Sequence, residues 1–309
     1  MLALAGILAA CTTVTPDCTE WVRLGSGQAR SMVYRSHSLE KPNPRIKRAL
    51  IVVHGQGRNA DGYFRTGVAA AFLAGALDDT IVISPRFASK NGNSCKDDLS
   101  KDEVNWRCSG DSWRSGATSV NDPKLTSYDF TDELLRKLAR KNLFPNLKVI
   151  VVSGHSAGGQ YVSRYAMSTG VHEKLGVEVR YVVSNPSSYA YLDSSRPAAT
   201  CDGFDNWPYG MQDRKGHAAG LSEEQLKKQA ASRPVTFLLG ELDTLPLAGF
   251  DSSCQAMAQG PNRLARGNSY AEYLNTKYGA HHKVKEVPMC GHNARCMFTA
   301  DQALPILFP

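Results

Sequence analysis

The chain of 309 residues predicts an α/β domain built on a doubly wound, mostly parallel sheet flanked by helices. Two observations carry this prediction. Short apolar runs rich in β-branched residues recur along the chain, and such continuous runs are typical of strands buried on both faces of a sheet. Segments with a helical spacing of apolar residues lie between these runs, and strand–helix alternation favours parallel strands.

Six apolar runs are interpreted as strands and five segments as helices. The strands are expected at 49–53, 80–84, 149–153, 179–183, 235–239 and 284–287. The helices are expected at 63–77, 128–141, 157–168, 222–231 and 269–278. Segment 20–34 is expected to add an antiparallel pair at one edge of the sheet.

Composition and charge exclude several classes of function. The net charge of +7 is modest and spread along the chain. The densest basic stretch, 134–141, follows a helical pattern and is interpreted as a solvated helix face, so no nucleic-acid partner is expected. The sequence has no phosphate-binding loop and no cluster of ligands at metal spacing, so neither a cofactor nor a metal is expected. The oligomeric state stays open.

The N-terminus resembles an export signal. Residues 8–11, Leu-Ala-Ala-Cys, resemble the bacterial lipobox, in which the cysteine is lipidated. Residues 1–19 are therefore expected to form a lipoprotein-type signal and tether, with the α/β domain at 20–309. The predicted protein is exported, periplasmic or anchored to the outer membrane through a lipid on Cys11. Secretion without an anchor is the alternative, because no Lys or Arg precedes the apolar segment.

The eight cysteines also favour export. They lack C-x-x-C spacing, so disulfides formed in an oxidising compartment are more plausible than a zinc site. Three pairs bracket or join long loops: Cys95 with Cys108, Cys201 with Cys254, and Cys290 with Cys296. Other pairings of these six stay open. Cys18 is left over if Cys11 is lipidated, and could pair with Cys11 if it is not.

Two loops, 85–123 and 185–221, are longer than a connection needs. Both leave the carboxyl ends of predicted strands, where open α/β sheets bind ligands. They are expected to form a partial lid over a substrate cleft. Trp113, Tyr189 and Trp207 are the expected substrate-binding residues, and ordinary packing of these aromatic rings is the alternative.

The segment Gly154-His155-Ser156-Ala157-Gly158 lies where a β-branched run gives way to a helical pattern. It has the G-x-S-x-G pattern of a nucleophile elbow, with Ser156 at the apex. A side chain at either glycine would collide with the neighbouring strand or helix. His155 is expected to point away from the serine and to serve packing. The alternative is a Gly-rich turn with a structural serine.

A nucleophilic serine needs an acid that orients its base. Asp243 follows the predicted strand at 235–239, so it is expected at the carboxyl edge of the sheet. Glu241 and Asp251 are the competing carboxylates.

The expected base is His292, in a loop with small neighbours after the last predicted strand. A Cys290–Cys296 bridge would fix this loop. His281 and His282 precede that strand and should lie at its opposite end, and His217 precedes the acid in sequence.

Two backbone N–H groups must stabilise the oxyanion. One is expected from Ala157, directly after the serine. The second is expected from Gln56 in His54-Gly55-Gln56-Gly57, which follows the first predicted strand. His54 is expected to brace this loop by hydrogen bonds.

These elements together resemble the α/β-hydrolase superfamily of serine esterases and lipases, over about residues 48–308. The order Ser, Asp, His follows that family's pattern, the 54–57 loop resembles its H-G-x form, and the elbow resembles that of exported esterases and polyester depolymerases. The resemblance implies that Ser156 attacks an acyl carbonyl, His292 transfers the proton, Asp243 orients His292, and water releases the acyl group.

The resemblance does not identify the substrate, because this fold hosts many activities. A small-molecule or polymeric carboxylic ester is expected. The alternatives are an acyltransferase or peptidase with the same three residues, or a non-catalytic cell-envelope binding protein on a hydrolase scaffold.

Overall fold

An eight-stranded sheet forms the centre of the protein. The computed structural model describes residues 10–90, 95–109, 112–247 and 249–309. The strands are β1 (Thr19–Arg23), β2 (Arg30–Arg35), β3 (Arg48–Val53), β4 (Thr80–Pro85), β5 (Val149–His155), β6 (Glu178–Ser184), β7 (Val235–Gly240) and β8 (Lys283–Val287). Their order across the sheet is β1-β2-β4-β3-β5-β6-β7-β8.

The sheet is parallel from β4 to β8 and antiparallel at one edge. β1 pairs with β2 and β2 with β4 in antiparallel register, whereas the pairs from β4–β3 to β7–β8 are parallel. The predicted doubly wound sheet is confirmed, and so is the antiparallel pair expected within 20–34.

Helices cover both faces of the sheet. They are α1 (Ala60–Leu73), α2 (Ser127–Leu138), α3 (Ala157–Ser168), α4 (Gly216–Ala219), α5 (Glu223–Ser232), α6 (Cys254–Met257), α7 (Arg263–Tyr278), α8 (Ala294–Thr299) and α9 (Leu304–Leu307). The five predicted helices are present as α1, α2, α3, α5 and α7. The largest shift is in α7, which begins six residues before the predicted start at 269 because the Asn262 side chain accepts a hydrogen bond from the Ala265 N–H and caps it there.

Two apolar clusters form the core, one on each face of the sheet. Residues of α1, α8 and α9 pack in one cluster, and residues of α2, α3, α5 and α7 pack in the other. Every residue of β5 is buried, as expected for a central strand covered on both faces. No helix in the described ranges is long and apolar enough to cross a membrane.

Four disulfide bonds join the described cysteines in pairs. The three expected pairs are present, Cys95–Cys108, Cys201–Cys254 and Cys290–Cys296. The fourth joins Cys11 to Cys18. The prediction of lipidation at Cys11 is corrected by this bond, because a sulfur atom in a disulfide cannot also carry a thioether-linked lipid. The rest of the expected signal, residues 1–9, lies outside the described residues.

Helix α3 approaches the sheet so closely that one of its first residues must be glycine. A Cβ atom built on Gly158 would lie 2.2 Å from the Val53 carbonyl oxygen of β3, whereas one built on Gly170 would meet nothing within 4 Å. We expect Gly158→Ala to lower the free energy of unfolding by about 1–3 kcal/mol, because the helix must move off the sheet. Urea denaturation measures this effect with Gly170→Ala as the matched control. Equal stability of the two variants would contradict the close packing.

Candidate active site

Ser156 occupies a strained turn between β5 and α3. Its backbone has φ 60° and ψ −119°, a left-handed conformation that side chains rarely adopt. Its N–H donates to the Ser184 carbonyl of β6 at 2.9 Å. The turn therefore places the Ser156 side chain at the carboxyl edge of the sheet, directly before the N-terminus of α3.

Glycines let the strand and the helix meet at this turn. A Cβ on Gly154 would lie 2.3 Å from the Gly158 carbonyl oxygen, and a Cβ on Gly159 would lie 2.5 Å from the Ser184 carbonyl oxygen. Such distances are far inside van der Waals contact. The packing of α3 against β5 and β6 thus holds the backbone of Ser156 in its strained conformation.

A chain of hydrogen bonds links Ser156, His292 and Asp243. The Ser156 Oγ is 2.9 Å from the His292 Nε2, and the His292 Nδ1 is 2.7 Å from the Asp243 Oδ2. Because a carboxylate only accepts, Nδ1 carries the proton and Nε2 accepts from the serine hydroxyl. The imidazole is therefore in the tautomer that can take a proton from Ser156.

Asp243 lies in the turn after β7 and is almost fully buried, with 1% of its surface exposed. Its second oxygen, Oδ1, is 3.4 Å from the Arg263 Nη1 at the start of α7, and neither side chain reaches solvent. The Arg263 Nε also donates to the Ser187 Oγ at 2.8 Å. Burial lowers the pKa of Arg263, while the nearby Asp243 charge raises it. Sequence reasoning missed Arg263, because no pattern marks an arginine as buried.

The residues considered as alternatives to Asp243 and His292 make other contacts. Glu241 is exposed and accepts from the Met289 N–H, and Asp251 accepts from the Tyr209 hydroxyl. His217 contacts Thr126 and the Ser168 carbonyl, on the far side of α3.

The loop after β3 lies against Ser156. A Cβ built on Gly55 would lie 3.7 Å from the Ser156 Cβ. His54 Nδ1 is 2.9 Å from the Gly55 carbonyl, and its Nε2 accepts from the Phe87 N–H at 3.2 Å. His54 thus braces this loop as a neutral ring, and its burial lowers its pKa to about 4.

A second histidine, His155, packs against His292. The two ring centroids are 4.6 Å apart, and the Tyr63 hydroxyl lies 3.2 Å from the His155 Nδ1. Burial lowers the pKa of His155 well below its ordinary value, and the His292 ring lowers it further. Because His155 stays neutral, it packs against His292 without placing a second positive charge beside that ring. The sequence predicted a packing role but not this partner.

A cavity of about 600 Å³ opens at Ser156 and His292. Gln56, expected as an oxyanion donor, lines it, and the other lining residues belong to 55–66, 155, 249 and 293–295. Ala157 is the first residue of α3, where free N–H groups and the helix dipole favour negative charge. In the described ranges no group of three or more His, Cys, Asp or Glu is placed to hold a metal.

No described residue of loops 85–123 or 185–221 lines this cavity, whereas described residues of both loops line a neighbouring cavity. Trp113 is buried. Its ring centroid lies 4.9 Å from that of Phe87, on which it stacks, and 4.8 Å from that of His54. Tyr189 is fully buried and stacks on Tyr270. Trp207 donates from its indole to the Ser115 carbonyl and lines a neighbouring cavity. Trp113 and Tyr189 pack in the protein interior rather than at Ser156, so their expected role in binding substrate is corrected.

Two solved structures share this fold over nearly the whole chain. Poly(aspartic acid) hydrolase-1 from Sphingomonas sp. KT-1 has a TM-score of 0.66 and 21% identity, and the match covers 94% of this chain and 98% of the other. LpqC, the poly(3-hydroxybutyrate) depolymerase from Bordetella parapertussis, has a TM-score of 0.64 and 20% identity, with 90% and 84% coverage. No protein-family model and no curated protein matches. The chain therefore has the α/β-hydrolase fold.

Because folding depresses the pKa of His54 from 6.5 to about 4, acid should destabilise the protein. Between these two values the unfolded chain binds more protons than the folded one, so stability falls as pH falls, by about 1.4 kcal/mol per pH unit for this residue. Urea denaturation at pH 7 and pH 5 should show a smaller loss in His54→Gln than in the wild type. His281→Gln, at an exposed position, is the control. An unchanged loss in His54→Gln would contradict the neutral brace.

Proposed function

We propose that the protein is an exported serine hydrolase that cleaves carboxylic esters through Ser156, His292 and Asp243. The observation that supports this most is the hydrogen-bond chain from the Ser156 Oγ through His292 to Asp243, with distances of 2.9 and 2.7 Å. This order of nucleophile, base and orienting acid is the one that acyl transfer requires.

In the proposed reaction the Ser156 Oγ attacks the acyl carbonyl while His292 Nε2 takes its proton. Asp243, held by Arg263, orients the ring and stabilises the imidazolium. The N–H groups of Ala157 and Gln56 stabilise the oxyanion. His292 then protonates the departing alcohol, leaving an acyl-enzyme. Water, activated by the same histidine, releases the acid and restores the serine.

The export proposal is supported by the four disulfide bonds, because such bonds persist in oxidising compartments. The protein then works in the periplasm or outside the cell. Thiol titration of protein isolated without reductant distinguishes this from a cytosolic protein, which would carry free cysteines.

The same three residues could act on an ester or on an amide, and the proposal is that the substrate is an ester. One of the two structural neighbours is named a hydrolase of poly(aspartic acid) and the other a depolymerase of poly(3-hydroxybutyrate). A polymeric substrate is therefore the first to assay after short esters. A peptidase or acyltransferase would use the same three residues with a different acyl group or acceptor.

Replacing the nucleophile tests the proposal directly. Ser156→Ala should lower kcat for a short p-nitrophenyl ester by about 1,000-fold or more, because it removes the hydroxyl that is hydrogen-bonded to the His292 Nε2. A fluorophosphonate probe should label the wild type at Ser156 and fail to label the variant.

Ser163→Ala is the matched control, since Ser163 lies on the same helix but lines no part of the Ser156 cavity. Wild-type turnover by Ser156→Ala would refute the assignment. Absence of any adduct on the folded wild type would favour the binding-protein alternative.

The Cys290–Cys296 bond should matter for catalysis because it closes the loop that carries His292. The double variant Cys290→Ser/Cys296→Ser should lower kcat about tenfold or more, since small displacements of a catalytic group are costly. Cys11→Ser/Cys18→Ser removes a disulfide beside the edge strand β1 and is the control. Equal kcat in both variants would contradict a positioning role for this bond.

A further inference from the structure

A second cavity, of about 270 Å³, lies beside α3 and is strongly basic. We call it the basic cavity and define it by Arg114, Arg164, Lys215 and Asp251, which are its charged lining residues. Among the described lining residues, three cations thus face one carboxylate. The rest of that lining is polar or aromatic apart from Pro208.

Arg164 is the central residue of the basic cavity, with only 1% of its surface exposed. Its Nε donates to the Pro208 carbonyl at 3.0 Å, and its Nη2 donates to the Ser188 Oγ at 3.2 Å. Both acceptors are neutral, and no carboxylate in the described ranges forms an ion pair with it. Burial lowers its pKa, and the Arg114 charge lowers it further. A buried guanidinium with only neutral partners is unfavourable unless an anion joins it.

Arg114 faces the same cavity and has the same shortage of negative charge. Its Nε donates to the Ser112 Oγ at 3.1 Å, and burial lowers its pKa. Asp251 is the one carboxylate among the described lining residues. It accepts from the Tyr209 hydroxyl at 2.8 Å and from the Ser253 hydroxyl at 2.7 Å. Among the described residues it forms no ion pair with Arg114.

Lys215 is exposed and belongs to the same lining. It marks the side of the basic cavity that reaches solvent, so an anion can enter past a third cation. Arg114 and Arg164 present planar N–H forks, which match the two oxygens of a carboxylate better than an ammonium group does.

The basic cavity is linked to Ser156 through α3. Gln160 and Arg164 are four residues apart on α3, so they lie on one face of the helix, and Ser156 directly precedes its first residue. The Arg164 Cα is about 12 Å from the Ser156 Cα along the helix axis at 1.5 Å per residue. Segment 249–251 lies between the two cavities, because Gly249 lines the one at Ser156 and Asp251 lines the basic one.

We propose that the basic cavity binds a carboxylate group through Arg114 and Arg164, with Lys215 at its mouth. The carboxylate is either carried by the substrate, at the end of its acyl chain, or belongs to a free carboxylate anion. The first source rests on the proposed esterase function, whereas binding itself does not. One experiment therefore has two arms: the first tests whether the basic cavity binds a carboxylate, and the second tests whether that carboxylate belongs to the substrate.

The binding arm uses the full-length protein and isothermal titration with adipate at constant ionic strength. Adipate should bind, and its neutral analogue adipamide should not. Arg114→Gln and Lys215→Gln should each weaken adipate binding about tenfold, because each removes a charge-assisted hydrogen-bond donor. Lys228→Gln, an exposed lysine on α5 that lines neither cavity, is the matched control for lost charge.

Three results would overturn the proposal: no binding of adipate, equal binding of adipamide, or unchanged binding in both cavity variants. Circular dichroism of each variant separates a lost site from a lost fold.

The source arm compares p-nitrophenyl monoesters of linear dicarboxylic acids with neutral acyl esters of the same length. If the substrate carries the carboxylate, kcat/KM should favour the acidic ester at one chain length, and Arg114→Gln should reduce that preference about tenfold. If the carboxylate is a free anion, adipate binds while the enzyme shows no such preference. If no ester is hydrolysed at all, the proposed function fails, and the binding arm still decides the site.

Discussion

The backbone conformation at Ser156 is the constraint on which the site depends. A residue with φ 60° would relax to an ordinary turn if α3 could move away from the sheet. It cannot, because Gly154, Gly158 and Gly159 place helix and strand backbones in direct contact. Packing of the core on both faces of β5 thus maintains the strained backbone of Ser156. In this conformation the Ser156 hydroxyl points at His292.

The rest of the site keeps His292 in one tautomer and one position. Asp243 accepts from its Nδ1, and the buried Arg263 holds the other oxygen of Asp243, so the carboxylate cannot rotate away. His155 supports the imidazole from the side, and its burial keeps it neutral. In the proposed mechanism, a positive charge that forms on His292 would therefore lie beside the Asp243 carboxylate and beside a neutral His155.

Sequence reasoning predicted the parts of this arrangement that are local. The elbow and the strand ends before Gln56, Asp243 and His292 follow from short patterns, because parallel strands end at the same edge of the sheet. Three disulfide pairs were expected because they bracket or join long loops, although the sequence left other pairings open. The substrate-binding role expected for Trp113 and Tyr189 was wrong for a physical reason: the sequence of a long loop does not show whether an aromatic ring packs inward or lines a cleft. Trp113 packs inward against Phe87. Arg263 was invisible because burial is a property of the whole fold.

Helix α3 connects the two sites through its rigidity. Its N-terminus follows Ser156, and two turns later it carries Arg164, a cation whose partners among the described residues are neutral. A helix held against the sheet by backbone contact cannot change the spacing between these residues. If a carboxylate fills the basic cavity, the distance from that carboxylate to the reacting carbonyl is set by the helix rather than by a flexible loop. Selectivity for chain length would then follow from the same close packing that strains the elbow, so one constraint would determine both how the ester bond is attacked and which ester is accepted.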